Sequence, residues 1–149
     1  MQARGLRPKQ AVAATLDHYR LCFNKRAHGK QGVAYANIEI APGEKVCGVA
    51  YELHDESELL QLDHFEGTPI RYSRECFVLD SAEGKLGAWV YVANPAWRSE
   101  GLKPEANYLQ HLIAGAQFLP KQYCSRIENT ECWPANEHSG SEQWLHSNL

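Results

Sequence analysis

The residue in this sequence that is best placed to do chemistry is Glu66. It ends the segment ELLQLDHFE, residues 58–66, in which Leu59, Leu62 and Phe65 repeat at the spacing of one helical face. A carboxylate that borders such a face is either a solvated surface charge or a general base held in a partly dry site. Spacing alone favours the solvated charge, whereas a position at the end of a rigid element favours catalysis.

The residues on either side of this segment indicate how Glu66 is positioned. Asp55 and Glu58 have the spacing of a capping box, which predicts the start of a helix. Gly67 suits the left-handed conformation that ends many helices, and Pro69 prevents continuation. The sequence therefore predicts a short amphipathic helix that ends at Glu66 and runs directly into a strand.

Other polar residues are weaker candidates for chemistry. Tyr72 and Tyr108 are typical of core aromatic residues whose hydroxyl groups reach water. Asp63 could form a carboxylate pair with Glu66, although a solvated charge is the commoner case. The basic stretch NKRAHGKQG, residues 24–32, could hold a substrate carboxylate, with a solvated turn as the simpler interpretation. The histidines show neither an HExxH motif nor paired ligand spacing, so no metal site is expected.

Composition narrows the class of protein. The chain has 149 residues, of which 44% are hydrophobic and 22% charged, as expected for one globular domain. A net charge of -3 gives no reason to expect nucleic acid or an acidic membrane as a partner. The apolar runs are shorter than the roughly 20 residues of a membrane-spanning helix, and the N-terminus has no secretory signal. Five widely spaced cysteines without a CxxC pair indicate small core residues or free thiols of a cytoplasmic protein.

Alternating apolar residues and turn signals predict five strands in an α+β domain. We expect a small mixed, mostly antiparallel sheet, curled or closed into a barrel-like form, with helices packed outside. Residues 1–16 are predicted to form a loop or a short helix, and APGE and DSAEG are predicted turns. The predicted strands are residues 16–25, 33–40, 46–53, 70–79 and 84–93, and the 46–53 strand is expected to be largely buried.

The rest of the chain is predicted to be helical and then polar. Residues 105–119 repeat apolar side chains at helical spacing, and Pro120 can begin a further short helix over 120–128. The predicted domain therefore covers residues 1–128. Residues 129–149 are predicted to be a polar, partly unordered tail with Trp133 and Trp144 as docking anchors.

Several of these segments, taken together, resemble the γ-glutamylcyclotransferase family, with its AIG2-like fold. The resemblance is carried by VCGVAYEL, by LDHFEG, by a tyrosine six residues after the glutamate, and by NYLQHLIAGAQFLPKQYCSRI. FNKR, followed by a glycine-containing turn and a small-residue strand, is also similar. The resemblance runs from about Leu16 to Ile127, and the combination is more specific than any one segment.

The resemblance implies roles for three residues and a reaction. Glu66 matches the helix-end acid/base of the family, and Tyr72 and Tyr108 match tyrosines that line its substrate pocket. The implied enzyme, a lyase or transferase of glutathione metabolism, needs no cofactor and no metal. It converts a γ-glutamyl amide or γ-glutamyl amino acid to 5-oxoproline and a free amine. The alternative is a weak or inactive member of the fold that binds a small molecule or a partner.

The same resemblance implies a difference at the N-terminus. Members of the family begin with a strand that ends in a YGSN-type loop, whose backbone N–H groups hold the glutamyl moiety. Here the residues QARGLRPK after Met1 resemble the segment that comes directly after that loop. We therefore expect the sheet to lack this strand and the pocket to lack some of the groups that hold the substrate. We also expect an exposed sheet edge, which would permit self-association. The leaving group stays open among an amino acid, an amine, an isopeptide lysine and glutathione.

Overall fold

Two long antiparallel strands form most of the sheet in the computed structural model, which describes residues 5–135. The strands lie in the order β2-β1-β3-β4, with every neighbouring pair antiparallel. Their bounds are β1 Gln10–Arg26, β2 Ala34–Glu52, β3 Tyr72–Ser81 and β4 Gly84–Ala93. The predicted α+β class and antiparallel sheet are confirmed. Of the two predicted forms, curled or closed, the closed barrel is wrong, because the sheet is open.

Strand β1 begins earlier than the sequence predicts. The prediction of a loop or short helix is wrong from Gln10 onward, because Gln10 through Leu16 pair residue by residue with the 46–52 half of β2. Alanine-rich composition is only a weak preference for helix, and a continuous ladder to a neighbouring strand overrides it.

Strand β2 combines two predicted strands. Between Asp17 and Tyr19 of β1 the ladder skips the APGE residues, 41–44, which bulge out without reversing the chain. His18 lies opposite this bulge with a φ of 65°, and its Nδ1 accepts a hydrogen bond from the Gly43 N–H at 3.3 Å. Pro and Gly at this position therefore mark a bulge rather than the predicted turn.

Two of the described α-helices pack against strands β1 and β2. Helix α1 spans Glu56–Glu66, α2 spans Ala106–Ile113 and α3 spans Lys121–Glu128, with short 3-10 turns at Pro95–Trp97 and Ala116–Phe118. The predicted long helix over 105–119 is thus interrupted after Ile113, near Gly115. Helices α2 and α3 bury a cluster formed by Leu109, Tyr123 and Ile127, against which Cys47 of β2 packs. Residues 46–50 are only partly buried and Tyr51 is 41% exposed, so the expected burial of residues 46–53 is wrong.

A buried asparagine joins strands that are not neighbours in the sheet. Asn37 of β2 is 3% exposed, and its Oδ1 accepts a hydrogen bond from the Ala93 N–H of β4 at 2.8 Å. Its Nδ2 donates to Asn24 Oδ1 of β1 at 3.0 Å. Because β2 and β4 lie at opposite ends of the strand order, these bonds show that the open sheet is strongly curled.

The contact between the two halves of the sheet is short. Strands β1 and β3 pair only through Ala14 with Ser81 and Thr15 with Asp80, whereas β3 and β4 form a full hairpin. The self-association through a sheet edge that the sequence suggests stays a prediction.

The first of the two tail tryptophans packs on the domain. The Trp133 indole N–H donates to the Gly32 carbonyl at 3.0 Å, and the Lys103 ammonium lies 5.3 Å from its ring centroid. Trp144 and the rest of residues 136–149 lie outside the described part of the chain. No helix within residues 5–135 is long and apolar enough to span a membrane.

Replacing Asn37 by alanine should destabilise the fold. The variant leaves the buried Ala93 N–H without its acceptor, a loss of about 1–3 kcal/mol in the free energy of unfolding. Urea unfolding followed by tryptophan fluorescence measures this loss. The exposed Asn129→Ala variant, whose side chain makes no comparable bond, is the control, and equal stability of the two variants would contradict the prediction.

Candidate active site

Helix α1 is fixed at both ends, and this positions Glu66. The Asp55 side chain accepts hydrogen bonds from the N–H groups of Ser57 at 2.8 Å and Glu58 at 3.3 Å, as the capping box predicts. At the other end Gly67 adopts the left-handed conformation, with a φ of 67°. The predicted helix and its end at Glu66 are therefore confirmed.

The turn after Glu66 brings an arginine against the helix end. The Arg71 N–H donates to the Gly67 carbonyl at 2.8 Å, which folds residues 67–71 into a tight turn. A Cβ atom on Gly67 would lie only 2.8 Å from Arg71 Cδ. Glycine is thus required here both by its backbone conformation and by the close approach of Arg71.

Tyr72 and Tyr108 meet at the same residue of β2. The Tyr72 hydroxyl donates to the Ala36 carbonyl at 2.9 Å, and the Ala36 N–H donates to the Tyr108 hydroxyl at 3.1 Å. The Tyr108 ring also lies edge-on to Tyr35, with centroids 5.1 Å apart. The structure therefore brings together the two predicted pocket tyrosines, although they are distant in sequence, and their hydroxyls are also tied to the backbone.

A lysine is buried among the same aromatic residues. Strand β1 bulges between Cys22 and Lys25, and Lys25 then pairs directly with Tyr35 of β2. Lys25 is only 2% exposed. Its ammonium lies 5.1 Å from the ring centroid of Tyr35, 5.2 Å from that of Tyr72 and 5.5 Å from that of Trp97.

The charges around Lys25 include Glu66. Burial, together with the positive charges of Arg71 and Arg26, lowers the pKa of the Lys25 ammonium to about 8, while the Glu66 carboxylate acts in the opposite direction. Arg26 and Arg71 lie 4.9 and 5.5 Å from the Trp97 ring centroid. Glu66 therefore borders a group of three cations arranged about one indole ring.

The second carboxylate of the segment has a different role. Asp63 accepts hydrogen bonds from Arg74 at 2.9 Å and from the Tyr91 hydroxyl at 2.7 Å. Burial, followed by this hydrogen bond, raises the pKa of Tyr91, so the phenol keeps the proton that it donates. Asp63 thus joins α1 to β3 and β4, which favours a structural role over a catalytic pair with Glu66.

Three residues of this region were not singled out by the sequence interpretation. Lys25 belonged to a basic stretch treated as a whole, and Arg71 and Trp97 carried no motif. One signal was available for Trp97, since a large aromatic residue in the polar loop NPAWRSEG is unusual unless it packs against something. No comparable signal marks the burial of Lys25, because it depends on the bulge in β1.

The arrangement can act on a small molecule that carries both charges. One carboxylate, Glu66, can exchange a proton, while a buried ammonium next to it can attract an anion. Within residues 5–135, no cluster of three or more histidine, cysteine, aspartate or glutamate side chains is placed to hold a metal ion.

Comparison with known families identifies the group of proteins to which this arrangement belongs. A family model described as gamma-glutamyl cyclotransferase, AIG2-like, matches residues 1–113. The chain belongs to this family. The match includes all the strands, α1 and α2, and therefore Glu66, Tyr72, Tyr108 and Lys25. A search of curated proteins found no match.

Solved structures share the fold of this family member. A structure titled gamma-glutamyl cyclotransferase is 23% identical, over 94% of this chain and 88% of its own, with a TM-score of 0.71. An uncharacterized protein from Homo sapiens is 24% identical, over 91% and 85%, with a TM-score of 0.70. YkqA from Bacillus subtilis is 16% identical, over 82% and 45%, with a TM-score of 0.69. At these identities the likeness shows the fold.

Replacing Gly67 by alanine should loosen the helix end beside Glu66. An L-residue in the left-handed conformation costs about 1–2 kcal/mol, and the new Cβ also displaces Arg71. The free energy of unfolding in urea should fall by at least that amount. Gly48→Ala is the control, because a Cβ there meets no atom within 4 Å. A Gly67→Ala variant as stable as Gly48→Ala would contradict this account of the turn.

Proposed function

We propose that the protein is a γ-glutamyl cyclotransferase that converts a small γ-glutamyl amide or γ-glutamyl amino acid to 5-oxoproline and a free amine. The observation that carries the proposal is the position of Glu66. It ends a helix capped at both ends, and its charge acts on the buried Lys25 ammonium, which itself lies against the rings of Tyr72 and Trp97. Membership of the γ-glutamyl cyclotransferase family supports the same reaction.

Glu66 is the proposed acid/base. Its carboxylate takes a proton from the α-ammonium of the substrate, and the freed amine attacks the γ-carbonyl of the same molecule. The resulting tetrahedral centre collapses when the C–N bond to the leaving group breaks. Glu66 returns this proton to the leaving nitrogen, and it then passes the remaining extra proton of the attacking nitrogen to the departing amine, which leaves as an ammonium. The carboxylate is thereby regenerated and no water is consumed.

An intramolecular attack requires little of the protein beyond a binding pocket of suitable shape and charge. Holding the substrate in its curled conformation supplies much of the rate gain, because the nucleophile and the carbonyl belong to one molecule. The proposed walls are Tyr72 and Tyr108, whose rings are held in place by the hydrogen bonds of their hydroxyls to Ala36. This reaction needs no cofactor.

The proposed setting is the cytoplasm. All five cysteines are free thiols, and Cys76 is exposed. Such thiols are typical of proteins that work in a reducing compartment.

The substitution Glu66→Gln should abolish most of the activity. The full 149-residue chain is incubated with γ-glutamyl-alanine, and 5-oxoproline is measured by mass spectrometry. General acid/base catalysis contributes about 100- to 10,000-fold, so kcat should fall by a factor in that range. Glu75→Gln, an exposed glutamate of β3, is the matched control and should keep its activity.

The same assay separates the alternatives. Activity that survives Glu66→Gln would remove Glu66 from its proposed role. A wild-type chain that binds γ-glutamyl-alanine in calorimetry but forms no 5-oxoproline would instead support the binding-protein alternative.

A further inference from the structure

The Lys25 ammonium is buried against aromatic rings. Within residues 5–135 no carboxylate forms an ion pair or hydrogen bond with it, although the lysine is only 2% exposed. Burying an ammonium group is unfavourable unless the charge is compensated. The rings of Tyr35, Tyr72 and Trp97 offset part of this cost by cation–π attraction, but they leave the positive charge in place.

The other charges near Lys25 make the surroundings positive. Arg26, on the same strand, and Arg71, in the turn after α1, both act on the ammonium as like charges. Glu66, at the end of α1, acts on it as an opposite charge. Among the charges of residues 5–135 that act on this ammonium, the positive ones outnumber the negative one, which favours an anionic ligand.

The chemistry of the proposed substrate indicates which anion fits. In a γ-glutamyl group the α-carbon carries both an ammonium and a carboxylate. If Glu66 takes the proton of that ammonium, the α-carboxylate necessarily lies within a few ångströms of the Glu66 carboxylate, because both substrate groups are bonded to the same carbon. The opposite charges of Glu66 and Lys25 would then match the opposite charges of the zwitterionic substrate head.

We propose that Lys25 binds the α-carboxylate of the γ-glutamyl substrate, with Arg71 and Arg26 adding positive potential. This inference rests on the proposed function, since it names the part of the substrate that the site recognises. The bound carboxylate fixes the α-carbon and turns the ammonium toward Glu66. A γ-amide without an α-carboxylate therefore loses both affinity and orientation.

Two substrates and two variants test this role. γ-Glutamyl-alanine carries the α-carboxylate, whereas 4-aminobutanoyl-alanine has the same amide without it and would cyclise to 2-pyrrolidinone. In Lys25→Met, kcat/KM for γ-glutamyl-alanine should fall about 10- to 100-fold, the range for a hydrogen bond to a charged group. The value for 4-aminobutanoyl-alanine should hardly change. Lys103→Met removes another lysine that lies over an aromatic ring, and it should leave both values unchanged.

Equal losses on both substrates, or no loss on either, would overturn the role of Lys25. The first result would mean that the lysine only supports the fold, and the second that the carboxylate binds elsewhere. Thermal unfolding of Lys25→Met, compared with Lys103→Met, shows whether the variant is folded. If the wild-type protein turns over neither substrate, the proposed function fails. The role of Lys25 is then tested by a binding measurement.

The binding measurement uses the wild-type chain and does not depend on turnover. Calorimetry compares 5-oxoproline, which keeps the carboxylate, with the neutral 2-pyrrolidinone. The Lys25 ammonium is charged below its pKa of about 8, so the affinity for 5-oxoproline should fall as the pH rises from 7 to 10. Affinity that stays constant over this range, or 2-pyrrolidinone binding as tightly as 5-oxoproline, would overturn the inference.

Discussion

The backbone conformation of Gly67 controls the geometry of this site. Its left-handed φ of 67° ends α1 directly after Glu66, and its lack of a Cβ lets Arg71 fold back against the turn. Tyr72 then begins β3 and reaches the Ala36 carbonyl. The turn at Gly67 thus lies between the carboxylate of Glu66 and the guanidinium and phenol of Arg71 and Tyr72.

The curl of the sheet completes the site from the other side. Strand β2 carries Ala36 and Asn37, which reach the start of β3 and the end of β4. The bulge in β1 pairs Lys25 with Tyr35, and the lysine is buried there among aromatic rings. The proposed reaction depends on this enclosure, because a charge held away from water interacts more strongly with a substrate of the opposite charge.

Local sequence signals predicted the end of α1 well. The features that the sequence did not predict depend on long-range contacts. Capping and glycine residues act within a few positions of one another, so α1 and the position of Glu66 could be predicted from spacing. The β1–β2 ladder gives no local signal: alanine-rich residues before Leu16 suggested loop or helix, and APGE suggested a reversal where it forms a bulge. The burial of Lys25 was hidden for the same reason. The importance of Tyr72 and Tyr108 was suggested by resemblance rather than by their own pattern.

The central claim is that the substrate's own amine closes the ring, without attack by water. The most direct test is to incubate the full chain with γ-glutamyl-alanine in water enriched in oxygen-18 and to analyse the products by mass spectrometry. We expect 5-oxoproline and alanine that carry no oxygen-18. Glutamate labelled in its γ-carboxylate would show hydrolysis by water and would contradict the claim.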